Sequence, residues 1–423
     1  DRNESGNAEF IRTIRAEICM VDDTSSGVPN AVDLEVHVYQ TYDIADNGSA
    51  EYRAALDLAA STRDANHDGH NESAAFTLTG YEALDRNLDG RDELTRGLSV
   101  SFEASDANST GYPERVAGRI YLYGRADPNS DGIPEVRKAL EVNALATDAN
   151  NDGHPELVTF NVTGAFVRDF NQDGNPEYRA SIDGAFEAMD ANSNGFVEKA
   201  TLTLRAEAAI DRNSDGFPED HSYATLDAVV LNTLDQNKNP DRVELHLVAT
   251  EQLDFNSDGL VDETRGVTID FLAIDANSNG AFESANLTVR ASAVRDANHD
   301  GVPEYTAAFV LYMQATDAND DGHPELVTLT ARGSEVLDQD QNGVPEETAY
   351  LRLDAKWTDA DSNGVFEKVD VSFRAERMTD PNQDGVPDTH EWVTVEYHAE
   401  DLNQDGTMDN VYLLIEKHIE PHP

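Results

Sequence analysis

A nine-residue phrase returns every 21 residues along the chain, and a fixed period of this kind decides the architecture before any single residue does. It reads DANHDGHNE from Asp64, DANNDGHPE from Asp148 and DPNQDGVPD from Asp380. Its first residue falls at 1, 22, 43, 64, 85, 106, 127, 148, 169, 190 and 211, and again at 254, 275, 296, 317, 338, 359, 380 and 401. One irregular copy, DQNKNPDRVE from Asp235, carries an inserted residue and brings the total to 20 copies in 423 residues. The expected organisation is one array over 1–423, with an irregular unit at 235–253 and no separate caps. Around that unit the spacing predicts a longer strand before the loop and a shorter one after it.

The charge follows the same period. There are 83 Asp+Glu against 30 Lys+Arg, a formal net charge of −53, and the 20 phrases alone carry −52 of it. The segments between them are nearly neutral. Like charges concentrated in short loops repel, and the repulsion calls for a counterion within each loop. Twenty divalent cations would leave −13. An acidic balance of this size excludes a nucleic-acid backbone as partner and repels an anionic membrane surface. No apolar run approaches the roughly 18 residues of a membrane-spanning helix. The single cysteine, Cys19, excludes an intramolecular disulfide framework.

The loop chemistry points to calcium. Positions 1, 3 and 5 are Asp, Asn or Asp, and Asp or Asn; position 6 is Gly; position 9 is Glu or Asp. Alternating oxygen side chains on a chain that Gly lets curl can wrap a hard cation taking about six to eight oxygens, with the position 7 carbonyl as backbone ligand. The ligand sets in the first half are Asp64, Asn66, Asp68 and Glu72; Asp85, Asn87, Asp89 and Glu93; Asp127, Asn129, Asp131 and Glu135; and Asp148, Asn150, Asp152 and Glu156. They continue as Asp169, Asn171, Asp173 and Glu177; Asp190, Asn192, Asn194 and Glu198; and Asp211, Asn213, Asp215 and Glu219. The second half offers Asp254, Asn256, Asp258 and Asp262; Asp275, Asn277, Asn279 and Glu283; Asp296, Asn298, Asp300 and Glu304; and Asp317, Asn319, Asp321 and Glu325. The last four are Asp338, Asp340, Asn342 and Glu346; Asp359, Asp361, Asn363 and Glu367; Asp380, Asn382, Asp384 and Asp388; and Asp401, Asn403, Asp405 and Asp409. About 15 strong Ca2+ sites are expected, and up to 20.

Five copies look poorer. The Asp22 loop offers Thr24, Ser26 and Asn30, the Asp43 loop has Ala45 at position 3, and the Asp235 copy has Pro240 in place of Gly. The loops at Asp1 and Asp106 carry Ser5 and Thr110 at position 5. The competing explanation is that Asp, Asn and Gly merely form turns. A turn needs Asx once or twice; it does not need an acid at position 9 in nearly every copy.

The acid at position 9 rather than 12 separates the phrase from an EF-hand. It resembles the DxDxDGxxD calcium loops at the hairpin tips of integrin-type propellers, and is less closely similar to thrombospondin type 3 repeats, whose cysteines it lacks. The resemblance covers the nine-residue loop and not either family's overall fold.

The segments between loops, about 12 residues each, alternate apolar and polar with period two, which predicts β-strands. The parity flips with every repeat. After Asp148 the apolar residues are Val158, Phe160 and Val162, at even offsets; after Asp169 they are Tyr178, Ala180, Ile182 and Phe186, at odd ones. In a parallel solenoid equivalent positions stack and parity stays constant. In a hairpin about a nine-residue loop, paired offsets sum to eight, and an odd repeat then forces the flip. The fold expected is all-β: an antiparallel up-and-down meander of about 20 strands, curled into a flattened barrel or two-layer sandwich, with calcium-loop hairpins at both edges. Mid-strand glycines (Gly80, Gly164, Gly184, Gly333) are candidate bends. An outer-membrane barrel is disfavoured by equally short loops at both ends and by Arg12, Arg96, Lys138 and Arg265 on the apolar face.

The chain opens at Asp1 rather than Met, so a removed secretion signal is expected. Read as a whole array, it has neither a strand before its first loop nor a loop after its last strand, and open sheet edges invite pairing. Those edges would meet within one chain or between chains, as a head-to-tail filament. No HExxH, GxSxG or P-loop motif occurs, so catalysis is not expected. His67, His70, His154, His299 and His323 occupy variable loop positions expected to face solvent. Sequons begin at Asn3, Asn47, Asn71, Asn108, Asn161 and Asn286, those at Asn161 and Asn286 on polar strand faces. Two functions fit: a secreted calcium-stabilised structural protein that assembles with itself, and a calcium-dependent adhesion module for a cell-surface or glycan ligand.

Overall fold

In a computed structural model of the chain, residues 9–24, 27–45, 47–232, 239–404 and 406–421 are described. Among them there is no helix, so none long and apolar enough to cross a membrane; that bears only on helical spans. Two compact units emerge, Asp1–Gly216 and Phe217–Pro423.

The first unit is a ten-stranded antiparallel meander. Its strands are β1 (Phe10–Val21), β2 (Ala31–Tyr42), β3 (Tyr52–Arg63), β4 (Ser73–Leu84) and β5 (Leu94–Ser105), then β6 (Arg115–Ala126), β7 (Val136–Thr147), β8 (Leu157–Arg168), β9 (Tyr178–Met189) and β10 (Lys199–Ile210). The second unit repeats the plan with β11 (Asp220–Leu231), β12 (Arg242–Leu253), β13 (Glu263–Ile274), β14 (Ser284–Arg295) and β15 (Tyr305–Thr316). It closes with β16 (Leu326–Leu337), β17 (Glu347–Thr358), β18 (Lys368–Thr379), β19 (Thr389–Glu400) and β20 (Asn410–Pro421). Every strand is 12 residues long and, outside the irregular copy, begins directly after position 9 of its loop.

The register is the one an odd repeat dictates. Arg63 pairs with Ser73 and Tyr52 with Leu84 across the Asp64 loop, so paired offsets sum to eight from one end of the ladder to the other. Each side chain therefore meets its neighbours on one face, and the parity flip keeps apolar residues together. The irregular copy does not produce the longer strand before it and shorter strand after it that its spacing predicts. β11 and β12 both keep 12 residues and pair Leu231 with Arg242, so the extra residue is absorbed in the loop between them. Within that loop Asp235 lies outside the described residues.

The buried apolar residues are all alanines, and most occupy the penultimate position of a strand, beside a loop: Ala83, Ala188, Ala209, Ala273 and Ala399. Mid-strand apolar residues are only partly covered; Phe160 in β8 remains 42% exposed. The mid-strand glycines leave room for a cross-strand neighbour. A Cβ at Gly164 would lie 2.8 Å from Ile182 Cγ2, and one at Gly184 2.9 Å from Val162 Cγ1. Two of the cations on the apolar face are answered by acids: Arg96 Nε lies 2.6 Å from Glu82 Oε2 on the adjacent strand, and Arg265 pairs with Glu251 on the adjacent strand and with Glu263 on its own. Cys19 is exposed.

Candidate metal centre

Each hairpin tip is one tight curl. In the Asp64 loop, the Gly69 N–H donates to Asp64 Oδ2 (3.0 Å), the Asp68 N–H to Asn66 Oδ1 (2.9 Å) and the His70 N–H to Asp68 Oδ1 (2.8 Å). The Ala65 and Asn66 N–H groups donate to the two oxygens of Glu72, at 2.5 and 3.3 Å. The same pattern recurs in the loops at Asp85, Asp148 and Asp317. Gly at position 6 has φ between +84° and +98° throughout, a conformation that glycine adopts without steric cost. Position 4 is also left-handed, with φ from +56° to +65°, yet it is never glycine. Sequence reasoning passed over this position. Its signal was there: Ser, Gln, Asn, Asp or His fills it in every loop of that geometry except the one with Leu88.

The turn takes one oxygen of the position 1 carboxylate; in loops such as those at Asp148, Asp275 and Asp359 the position 5 N–H also binds the other, and in others that oxygen is left. The position 1 Asp is buried in nearly every loop; Asp275 has no exposed surface and Asp211 only 2%. Its Oδ2 accepts the glycine N–H. The Oδ1 atoms of Asp64, Asp85, Asp127, Asp169, Asp211, Asp338 and Asp380 are buried without a hydrogen-bond partner. An unpaired buried carboxylate oxygen is costly, and a bound cation is one kind of partner that would offset the cost. In the loops with Asp at position 3, the carboxylates converge. Ligand oxygens of Asp338, Asp340 and Glu346 lie within 4.8 Å of one another, as do those of Asp359, Asp361 and Glu367. In the other strong loops position 3 is Asn, whose amide oxygen is a ligand atom of the same hard type.

Position 9 depends on what position 2 can donate. The Ser109 hydroxyl, with the Ala65 N–H next, holds the Glu72 carboxyl below the ordinary glutamate value. Burial pushes Glu93 up, but N–H bonds from Arg86 and Asn87 bring it below that value. In the Asp127 loop position 2 is Pro128, which has no N–H. Glu135 Oε2 is buried and unpartnered, and burial together with the charges of Asp127, Asp131 and Asp169 raises its carboxyl. Glu367 is raised too, by burial and by neighbouring Asp361.

Three of the poorer copies keep the glycine bond of the others. Gly27, Gly48 and Gly111 bond to Asp22, Asp43 and Asp106 as elsewhere. In the Asp22 loop Asn30 takes the place of the acid, accepting from the Asp23 N–H at 3.2 Å. Asp405 and the Asp1 loop lie outside the described residues. Of the loop histidines, His67, His70, His154 and His323 are exposed as expected. His299 turns inwards, its Nε2 3.2 Å from Asp262 Oδ1.

Loops two repeats apart share an edge and are stitched by backbone. The position 1 N–H of one donates to the position 9 carbonyl of the loop before it: Asp106 to Glu72 (2.8 Å), Asp169 to Glu135 (2.7 Å) and Asp380 to Glu346 (2.8 Å). Asp241 of the irregular loop fills the position 9 role, accepting the Asp275 N–H at 2.7 Å. No family model and no curated protein matches this chain.

Proposed function

We propose that the chain is a secreted, non-enzymatic structural protein whose β-meander is held by calcium at its hairpin tips and which assembles with itself into an extracellular filament or surface layer. The observation that carries the calcium half is the set of buried position 1 carboxylates at Asp64, Asp85, Asp127, Asp169, Asp211, Asp338 and Asp380, each with one oxygen unpaired. Occupied sites would stabilise the fold by mass action, which suits modest-affinity loops in millimolar external calcium. Self-assembly draws on the strands β1 and β20. Ile14, Ile18 and Met20 in β1, and Val411, Leu413 and Ile415 in β20, are all more than half exposed. Apolar strands with free backbone groups add further strands readily. Electron microscopy in millimolar calcium, repeated after chelation, tests this: calcium-dependent filaments are expected, and discrete particles under both conditions overturn the assembly half.

A second reading, a calcium-dependent adhesion module, draws on one cluster in the second unit. Trp392 stacks against His418, with ring centroids 4.8 Å apart, and lies 4.5 Å from His390, with Arg374 over its ring. Loss of cell-surface or glycan binding in Trp392→Ala, with assembly intact, would favour it.

A further inference from the structure

The left-handed position 4 turns its side chain onto the preceding loop of the same edge. Gln172 Nε2 donates to the Ile133 carbonyl (2.6 Å) and to Asp131 Oδ1 (3.2 Å), while its Oε1 accepts from Asn129 Nδ2 (3.2 Å). These are positions 7, 5 and 3 of the Asp127 site. The Ser109 hydroxyl donates to Glu72 Oε1 (2.7 Å) and accepts from Asn66 Nδ2 (2.7 Å). Ser193, Ser257 and Ser362 reach Glu156, Glu219 and Glu325 in the same way, at 2.8, 2.9 and 3.0 Å. Gln383 contacts Glu346 and Asn342.

From this we infer that position 4, where it is Ser, Gln, Asn or Asp, completes the cation site of the loop before it on its edge, adding a side-chain oxygen to that site and coupling the sites along the edge. The inference rests on the calcium reading above. At the Asp127 site the unpaired Asp127 Oδ1 and Glu135 Oε2 belong to residues 5% and 4% exposed. That loop offers five ligand residues of its own, which reach the low end of the six to eight oxygens calcium takes only if a carboxylate binds through both oxygens. The Gln172 amide already bridges three of them, and a half-turn of its terminal torsion exchanges nitrogen for oxygen at the Ile133 carbonyl. The exception is instructive. Leu88 is the apolar residue at this position, and its loop follows the Asp43 loop on the same edge, the one with Ala45 at position 3. A site without its own ligand is matched with a neighbour that has none to give.

Coupling follows because an ion in one loop fixes the backbone that aims its position 4 residue, and by linkage the benefit is mutual. The test uses the full chain with Ile133→Trp, whose indole sensitises terbium bound at the Asp127 site. Gln172→Gly, which keeps the left-handed backbone but removes the side chain, is expected to weaken terbium binding there by about tenfold. Gln172→Glu, which keeps an oxygen, should retain it, and Asp169→Asn, in the next loop, should weaken it remotely. Unchanged affinity in Gln172→Gly, or equal loss in the Gly and Glu variants with the strand signal intact, overturns the coupling alone. A parent chain without a terbium signal overturns the calcium reading and the coupling with it.

Discussion

Asp275, at the tip of a hairpin, has no exposed surface, whereas Ile120, in the middle of β6, is 42% exposed. The contrast holds across both units: the most enclosed side chains are carboxylates in the loops, and the strands between them expose apolar residues on a scale unusual for a folded core. In an ordinary globule burial of apolar surface is the main favourable term. Here the strands contribute a ladder and a partly covered face, and the closest packing is around charge. Buried carboxylates cost free energy unless each is paired. The fold therefore draws its stability from whatever pairs them, and the tips rather than the strand middles are where it can be broken.

Removing the cation should have the largest effect. A site filled to about 100 times its dissociation constant contributes roughly 2.7 kcal/mol. Several such sites exceed the roughly 5–15 kcal/mol by which domains are stable at all. Chelation is expected to melt the strand signal in circular dichroism at room temperature, and readdition of calcium, but not sodium, to restore it. A melting curve indifferent to chelation would mean that the loops hold themselves. Single-site damage comes next. Asp275→Ala should lower the number of bound ions by one in native mass spectrometry and reduce stability in calcium by about 2–3 kcal/mol. An apolar truncation in a strand middle, Ile120→Ala, should cost less than the 2–5 kcal/mol of a fully buried residue.

Much of this was legible in the sequence because period and parity are global properties. The flip between even offsets after Asp148 and odd offsets after Asp169 allows only a meander, and the ladder from Arg63–Ser73 to Tyr52–Leu84 follows it residue by residue. The loop positions proposed as ligands were picked out by the same period. What escaped depends on geometry that no spacing carries. The left-handed φ of Gln172 and its relatives sends a side chain onto the loop two repeats back along the edge, a relation visible only once the edge exists. The effect of Pro128 on Glu135 likewise needs the N–H bond that Ala65 makes to Glu72.

That last pair of loops sharpens the comparison, since they differ in one donor. Pro128→Ala should supply the missing N–H to Glu135 and stabilise the calcium-free chain by about 1 kcal/mol. Ala65→Pro should remove the donor from Glu72 and destabilise it; the backbone already accommodates Pro at this position in the Asp127 and Asp380 loops. Denaturant midpoints in chelator check both. In saturating calcium the differences should shrink, because the cation becomes the partner of the same oxygens. Equal shifts with and without calcium would mean that the position 9 acid is a turn-former and not a ligand.

The smallest effect should come from the strands' own charges. Hydrogen bonds from Arg377 hold the Glu347 carboxyl below its ordinary value of 4.5, as Arg96 does for Glu82. A depressed carboxyl contributes stability that is present above the unfolded value and lost as pH falls through the folded one. The strand contribution should therefore be constant above about pH 4.5 and disappear only below it. Glu347→Gln should flatten that acid limb slightly, by about 0.5 kcal/mol, because the pair is partly exposed and screened. Measured in saturating calcium, most of the acid sensitivity should remain in this variant, since protonating the loop carboxylates releases the ion at every tip. If Glu347→Gln instead removed a large share of it, the strands and not the tips would set the stability of the molecule.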